Sequence, residues 1–169
     1  MIKSWGGQDH LIASYRYFYP DKQCVVSRLD EVPLAADWSA AGDWRRLYET
    51  SPCLLFGEER NPLGGNQAAG WLIDSPDGGI YRAVGDYEID GTDSKGTAYS
   101  QRACATYGKI YHVGLPDGGL SVVSIGHRNP QGPAIDGACN FWSTEQGPMG
   151  GDELNFIGRA PTTVGRMSR

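Results

Sequence analysis

The stretches "DSPDGGIYRAVG" at residues 74–85 and "GLPDGGLSVVSIG" at 114–126 decide the fold, because each spells a tight turn followed by a strand. Pro fixes φ for the first central position of a type I turn, and Asp suits the second. The following Gly takes the positive φ of a G1 bulge that restores strand pairing. Beyond the turns, Ile80 and Val84 share one side with Arg82 between them, and Leu120 and Val122 alternate with Ser121. A strand has this period of two. Trp71-Leu72-Ile73 stands before the first turn where Tyr111-His112-Val113 stands before the second. Strand–turn–strand units are therefore predicted over about 69–85 and 109–126.

Two further P-x-G-G tetrads occur, Pro62–Gly65 and Pro148–Gly151. The last is flanked by "GACNFWST" and "DELNFIGRAP", where Leu154 and Phe156 alternate with polar neighbours, so a third, degenerate hairpin is expected there. The tetrads are spaced by 14, 40 and 32 residues. They keep no common period, which speaks against a propeller or solenoid and for convergent turn chemistry. Upstream, "LIASYRYFYP" and "QCVVSR" read as two strands broken by Pro20-Asp21-Lys22. The stretch "DEVPLAADWSAAGDWRRLYETSPCLLFG" is the helical country of the chain: Leu34, Trp38 and Ala41 recur at helical spacing, Asp43 suits a cap, and Ser51-Pro52 offers N-cap and N1 chemistry. Long loops are expected over 58–68 and 127–137.

The expectation is one mainly β domain over residues 1–169. It is an antiparallel sandwich or barrel of roughly eight strands, with one or two short helices inserted near 33–56. The polar, Gly-bearing ends, about 1–9 and 159–169, are expected to be arms.

Twenty-four Gly and ten Pro with nine Tyr and five Trp describe a loop-rich chain too aromatic for disorder. The net charge of −5 is uneven: residues 159–169 carry Arg159, Arg166 and Arg169 and no acid, leaving twelve bases against twenty acids before them. An acidic body without a basic stripe makes nucleic acid an improbable primary partner. No run approaches the length of a membrane span, and the N-terminus lacks a signal-peptide core, so an assembled virion or the cytoplasm is expected over secretion. Cys24, Cys53, Cys104 and Cys139 show no metal-ligand spacing. Four buried thiols are the first reading and one or two disulfides the second.

Three features bear on a site. "DYEIDGTDSKGT" at 86–97 matches the opening of a calcium loop, with Asp86, Glu88 and Asp90 at the oxygen-donor positions, although Thr97 replaces the closing Glu. Its plainer reading is an Asp-Gly turn. The histidines His10, His112 and His127 could serve a hydrolase if the fold brought one to Cys104 or Cys139, or paired His10 with His127 as in a nuclease. No nucleophile elbow, metal-binding helix or phosphate loop accompanies them. Tyr15, Tyr17 and Tyr19 share one strand face, and Trp5 lies between the chain end and two glycines, so these aromatics are candidate partner contacts. Trp38 and Trp71 are expected in the core.

Without a catalytic constellation, the residues favour a non-enzymatic structural protein, a subunit of a virion or other regular assembly. Its partners would be other subunits or copies of itself, held through Trp5, the tyrosine row and the arginines Arg159, Arg166 and Arg169. A secreted, lectin-like module with calcium is the alternative, and a histidine-dependent hydrolase or nuclease-like toxin the next. No cofactor other than calcium is indicated.

Overall fold

The computed structural model describes residues 1–55, 66–91 and 97–160. The protein is mainly β, with three antiparallel sheets following one another along the chain. The first runs in the order β1 (Ile2–Trp5), β2 (Gln8–Tyr19), β3 (Cys24–Pro33), β4 (Arg45–Glu49), with β5 (Leu54–Leu55) also pairing β3. The second is the meander β6 (Leu72–Asp74), β7 (Ile80–Val84), β8 (Lys109–Val113), β9 (Leu120–Ile125). The third is β10 (Pro130–Ile135), β11 (Asn140–Glu145), β12 (Glu153–Arg159). Among the described residues the sheets do not close into a barrel, and their twelve strands exceed the eight expected.

The β6–β7 turn is as expected, Gly78 N–H donating to Ser75 O at 3.0 Å. In the β8–β9 turn Gly118 N–H reaches one residue further, to Gly114 O at 2.8 Å, so that turn is wider than the type I turn expected. Gly78 (φ 93°) and Gly118 (φ 75°) hold the left-handed positions of the β6–β7 and β8–β9 turns. Each turn is closed by paired backbone bonds, Ser75 N–H to Gly79 O at 2.9 Å and Gly114 N–H to Gly119 O at 2.7 Å. The Pro148 tetrad joins β11 to β12, and the Pro62 tetrad lies outside the described residues.

Alternation on the second sheet explains the layering. Ile80, Arg82 and Val84 of β7 and Tyr111 and Val113 of β8 face the first sheet, where they meet Ile12, Val25, Leu29 and Leu54. Tyr81, Ala83 and Ile110 face the third sheet and pack against Phe141, Ile135 and Ile157. A meander buried on both faces by its sequence neighbours is how blades stack in a β-propeller. The expectation against a repeat architecture is corrected accordingly. Two of the tetrads sit within one sheet, so their spacing never measured the repeat.

Other expectations also change. No helix occurs over 33–55; among the described residues the helical pieces are single 3-10 turns, Tyr99–Gln101 and Pro148–Gly150. Asp37 takes the backbone N–H and the hydroxyl of Ser39, Leu34 bridges Ala40, and Trp38 turns left-handed (φ 67°) and stands 62% exposed rather than in the core. "RRLYE" becomes β4 because its charges answer those of β3: Arg45 pairs with Glu31, Arg46 with Asp30 and Arg28 with Glu49. Cross-strand pairs of this kind outweigh a weak helical preference. The segment 127–137 contains β10, whose Pro130 and Pro133 are tolerated because it is an edge strand. The expected N-terminal arm is the β1–β2 hairpin, and the Met1 ammonium donates to Ile12 O at 3.0 Å. Of the expected C-terminal arm, Arg159 ends β12 and Ala160 is buried, while 161–169 lie outside the described residues.

Cys24 and Cys53 form a disulfide with Cα atoms 5.6 Å apart, which corrects the reading of four thiols; Cys104 and Cys139 are free. Pairing of Cys24 with Leu55 brings Cys53 to the start of β3. Among the described residues no helix is long and apolar enough to cross a membrane.

Candidate functional site

Where β9 passes into β10, the turn Gly126-His127-Arg128-Asn129 enters a buried polar cluster. Gly108 (φ 65°) lets the chain approach closely there, since a Cβ on it would fall 2.6 Å from His127 O. His127 N–H donates to Gly108 O at 3.0 Å, fixing the imidazole inward. His127 Nδ1 lies 2.9 Å from Oε2 of Glu145, the last residue of β11. The other carboxylate oxygen of Glu145 accepts the backbone N–H groups of Arg128 and Asn129, and Asn155 Nδ2 donates to Oε2 at 3.2 Å. Asn129 ties the segment before β6 into the cluster by accepting Ala69 N–H at 3.2 Å.

Asp86 completes the group. Its N–H donates to Arg128 O at 2.9 Å, its Oδ1 accepts Glu88 N–H at 2.8 Å, and the residue is 1% exposed. Burial pushes its carboxyl up to about 7; Asp90 and Glu145 add to this, while the Glu88 N–H and the Arg128 charge oppose it. Burial also pushes Glu145 upward, but His127 and the two backbone N–H groups outweigh that and hold its carboxyl below the ordinary value. The cluster thus contains a carboxylate that stays ionised and a carboxyl that exchanges its proton near neutrality, the pairing expected of acid–base chemistry. Two polar atoms remain without a hydrogen-bond partner: His127 Nε2 and Arg128 Nε, the latter 3.9 Å from Asp90 Oδ2. Glu145 also lines an open cleft of about 460 Å³ with Gln131, Thr144, Gln146, Asp152 and Glu153.

The expected calcium ligands part company. Asp86 is buried in the cluster, Glu88 accepts from Asn66 Nδ2 at 3.4 Å, and Asp90 lies near Arg128. Among the described residues no three His, Cys, Asp or Glu side chains gather to hold a metal; residues 92–96 of that loop lie outside them. His10 pairs with Glu31 at 2.7 Å beneath Trp5, whose ring stacks on it at 3.7 Å, so Trp5 packs on its own domain. His112 pairs with Asp77 of the β6–β7 turn at 3.0 Å. Each histidine has its own carboxylate, in a different part of the fold. Tyr15, Tyr17 and Tyr19 do share a face of β2, organised around Arg28, whose guanidinium lies 3.4 Å from the Tyr17 ring centre. Tyr15 donates to Asp30, and Tyr19 donates to Glu49 at 2.8 Å. Arg159 lies on β12, and Arg166 and Arg169 fall outside the described residues. Sequence reasoning missed Glu145, Asn129 and Arg128, because only the stacking of the second and third sheets brings them to Asp86.

Stacked antiparallel meanders beside a buried polar cluster are the arrangement of a propeller-type fold. The sequence profile of the family described as glucose/sorbosone dehydrogenase matches residues 34–161, well over half of the chain. The chain belongs to this glucose/sorbosone dehydrogenase family. An uncharacterized protein of Synechocystis sp. is 30% identical over 132 residues, covering 68% of this chain and 30% of its own length. The soluble aldose sugar dehydrogenase of Escherichia coli, solved in its apo form, shares the fold at a TM-score of 0.63 and 22% identity, covering 92% of this chain and 44% of its own. The PQQ-bound aldose sugar dehydrogenase of Streptomyces coelicolor aligns at a TM-score of 0.59 and 21% identity, covering 99% of this chain and 51% of its own. The chain therefore spans about half the length of these solved structures.

The family overturns the expectation of a non-enzymatic virion or assembly subunit, together with its lectin-like and hydrolase or nuclease alternatives. Members of this family are described as glucose/sorbosone dehydrogenases, and the absence of a helical motif or nucleophile signature misled the reading.

Proposed function

We propose that this chain forms part of a sugar oxidoreductase that works with a quinone cofactor, and that the Asp86–His127–Glu145 cluster manages the proton. One observation carries the reading: Asp86 is almost completely buried, yet is poised near 7 beside the backbone and charge of Arg128. A group titrating at the working pH both gives and takes a proton efficiently. Family membership and the PQQ-bound neighbour supply the substrate and cofactor classes.

The donor set fits a quinone bearing carboxylates. Arg128, whose buried Nε faces Asp90 at 3.9 Å, would exchange that pairing for an anionic group, and His127 Nε2, buried without a hydrogen-bond partner, would meet a hydroxyl or carbonyl. When bound, such a quinone supplies the acceptor for the two electrons and two protons released when a sugar hydroxyl is oxidised. Asp86 holds or releases a proton behind the cleft. Glu145 stays ionised, orients His127, and fixes the Arg128–Asn129 backbone. The Cys24–Cys53 bond supports work in an oxidising compartment.

The test is titration of the purified chain with PQQ, followed by absorbance, and an aldose assay with a dye acceptor. Arg128→Ala is expected to weaken quinone binding about tenfold, the loss of one charge-assisted hydrogen bond. A chain that binds no quinone, or binds it equally well in the Arg128→Ala variant, refutes the reading.

A further inference from the structure

Arg82 sits in the middle of β7, on the face turned to the first sheet, and is 0% exposed. Its Nη2 donates to Ser27 Oγ and, at 3.1 Å, to Arg28 O. Nε and Nη1 have no hydrogen-bond partner, and among the described residues no carboxylate lies within ion-pair distance of the guanidinium. Its surroundings are phenols: it lies 5.2 Å from the Tyr48 ring centre, with Tyr87 and Tyr111 close enough to interact electrostatically. The hydroxyls of Tyr48 and Tyr87 are themselves buried without a partner. Burial lowers the pKa of Arg82 to about 10, so the group remains a cation at neutral pH. A buried charge is ordinarily paired, and among the described residues this one has no ion-pair partner, Asp30 acting on it only at longer range.

A small cavity of about 220 Å³ lies against the same residues, lined by Ser14, Arg16, Ser27, Gly70 and Tyr87 among others. Ser27 and Tyr87 link the two features, since Ser27 Oγ accepts a hydrogen bond from Arg82 and Tyr87 feels the Arg82 charge. Ser14 Oγ is a third buried hydroxyl without a partner, and Gly70 keeps the space before it open, a Cβ there falling 3.6 Å from that oxygen. Hydroxyls and guanidinium nitrogens can all donate, and no acidic side chain lines the cavity.

We propose that this cavity between the first two sheets is a binding site for a small monovalent anion of chloride size, held by the hydroxyls of Ser14, Ser27 and Tyr87 and balanced by Arg82. A small monovalent anion matches the unit charge of the buried Arg82, and Arg16 also lines the cavity. The bound ion would tie β2 and β3 to β7, so it acts on the stability of the sheet stack and is independent of the sugar site.

The test compares thermal unfolding of the wild type and Arg82→Met in potassium chloride and potassium glutamate at equal ionic strength. In the wild type, the unfolding equilibrium constant is expected to fall tenfold for each tenfold rise in chloride above the dissociation constant. In Arg82→Met the chloride-specific part disappears, and general salt effects cancel in the comparison. A wild type indifferent to the anion, or a variant with the same chloride dependence, overturns the proposal. Should Arg82→Met fail to fold, Ser14→Ala is expected to weaken the chloride dependence severalfold. Crystals grown in bromide are expected to show an anomalous peak against Ser14 and Ser27; water density alone at that place overturns the assignment.

Discussion

Replacing Asp86 by Asn is the sharpest probe of the cluster. The amide keeps an oxygen for the Glu88 N–H and removes the titration. In the folded chain the carboxyl titrates near 7, against the ordinary 3.8. That difference is about 4 kcal/mol at ~1.4 kcal/mol per unit. Between these two values the folded state keeps a proton that the unfolded chain has released, so wild-type stability falls as pH rises from about 4 to 7 and levels off above. The carboxylates held low, Glu145, Glu31 and Glu49, act in the opposite sense and only as pH falls below their ordinary value of 4.5. Urea unfolding followed by tryptophan fluorescence at intervals from pH 4.5 to 7.5 gives the difference between wild type and Asp86→Asn. Across this window it is expected to move by about 3 kcal/mol in favour of the variant toward pH 7. A difference that stays flat across this range refutes the argument that burial governs Asp86.

Two further outcomes follow from the geometry. The Cys24–Cys53 bond closes a separation of 29 residues; the paired substitution Cys24→Ser with Cys53→Ser should lower stability by about 3–4 kcal/mol in denaturant titration, and a loss under about 1 kcal/mol would contradict it. Gly85→Ala would place a Cβ 1.8 Å from Gln67 O, beside Asp86, whereas a Cβ on Gly137 meets nothing within 4 Å. The first change should cost about 3 kcal/mol or more and the second stay within about 0.5 kcal/mol; equal effects in thermal melts would show that the Gly85 approach is not tight.

Legibility differed between fold and site for a physical reason. Turn chemistry is local: Pro76, Asp77 and Gly78 carry the dihedrals of their hairpin in their own covalent structure, so β6–β9 and the β11–β12 hairpin could be read directly. The segment "DWRRLYET" could not, because its strand character depends on Glu31, Asp30 and Arg28 lying opposite. The cluster shows the same divide. Asp86 was singled out for a calcium loop on spacing alone, but its environment comes from Arg128 and Glu145, forty and more residues away.

By itself the sequence determined that this is a mainly β chain of tight antiparallel hairpins, since alternation and turn residues act within a few positions. Tertiary structure alone decided that the hairpins form three stacked sheets, that His127 meets Glu145 while Asp86 is tied to Arg128, and that Arg82 is enclosed with no ion-pair partner among the described residues. Burial and desolvation are properties of the packed whole, and they turn ordinary residues into a site.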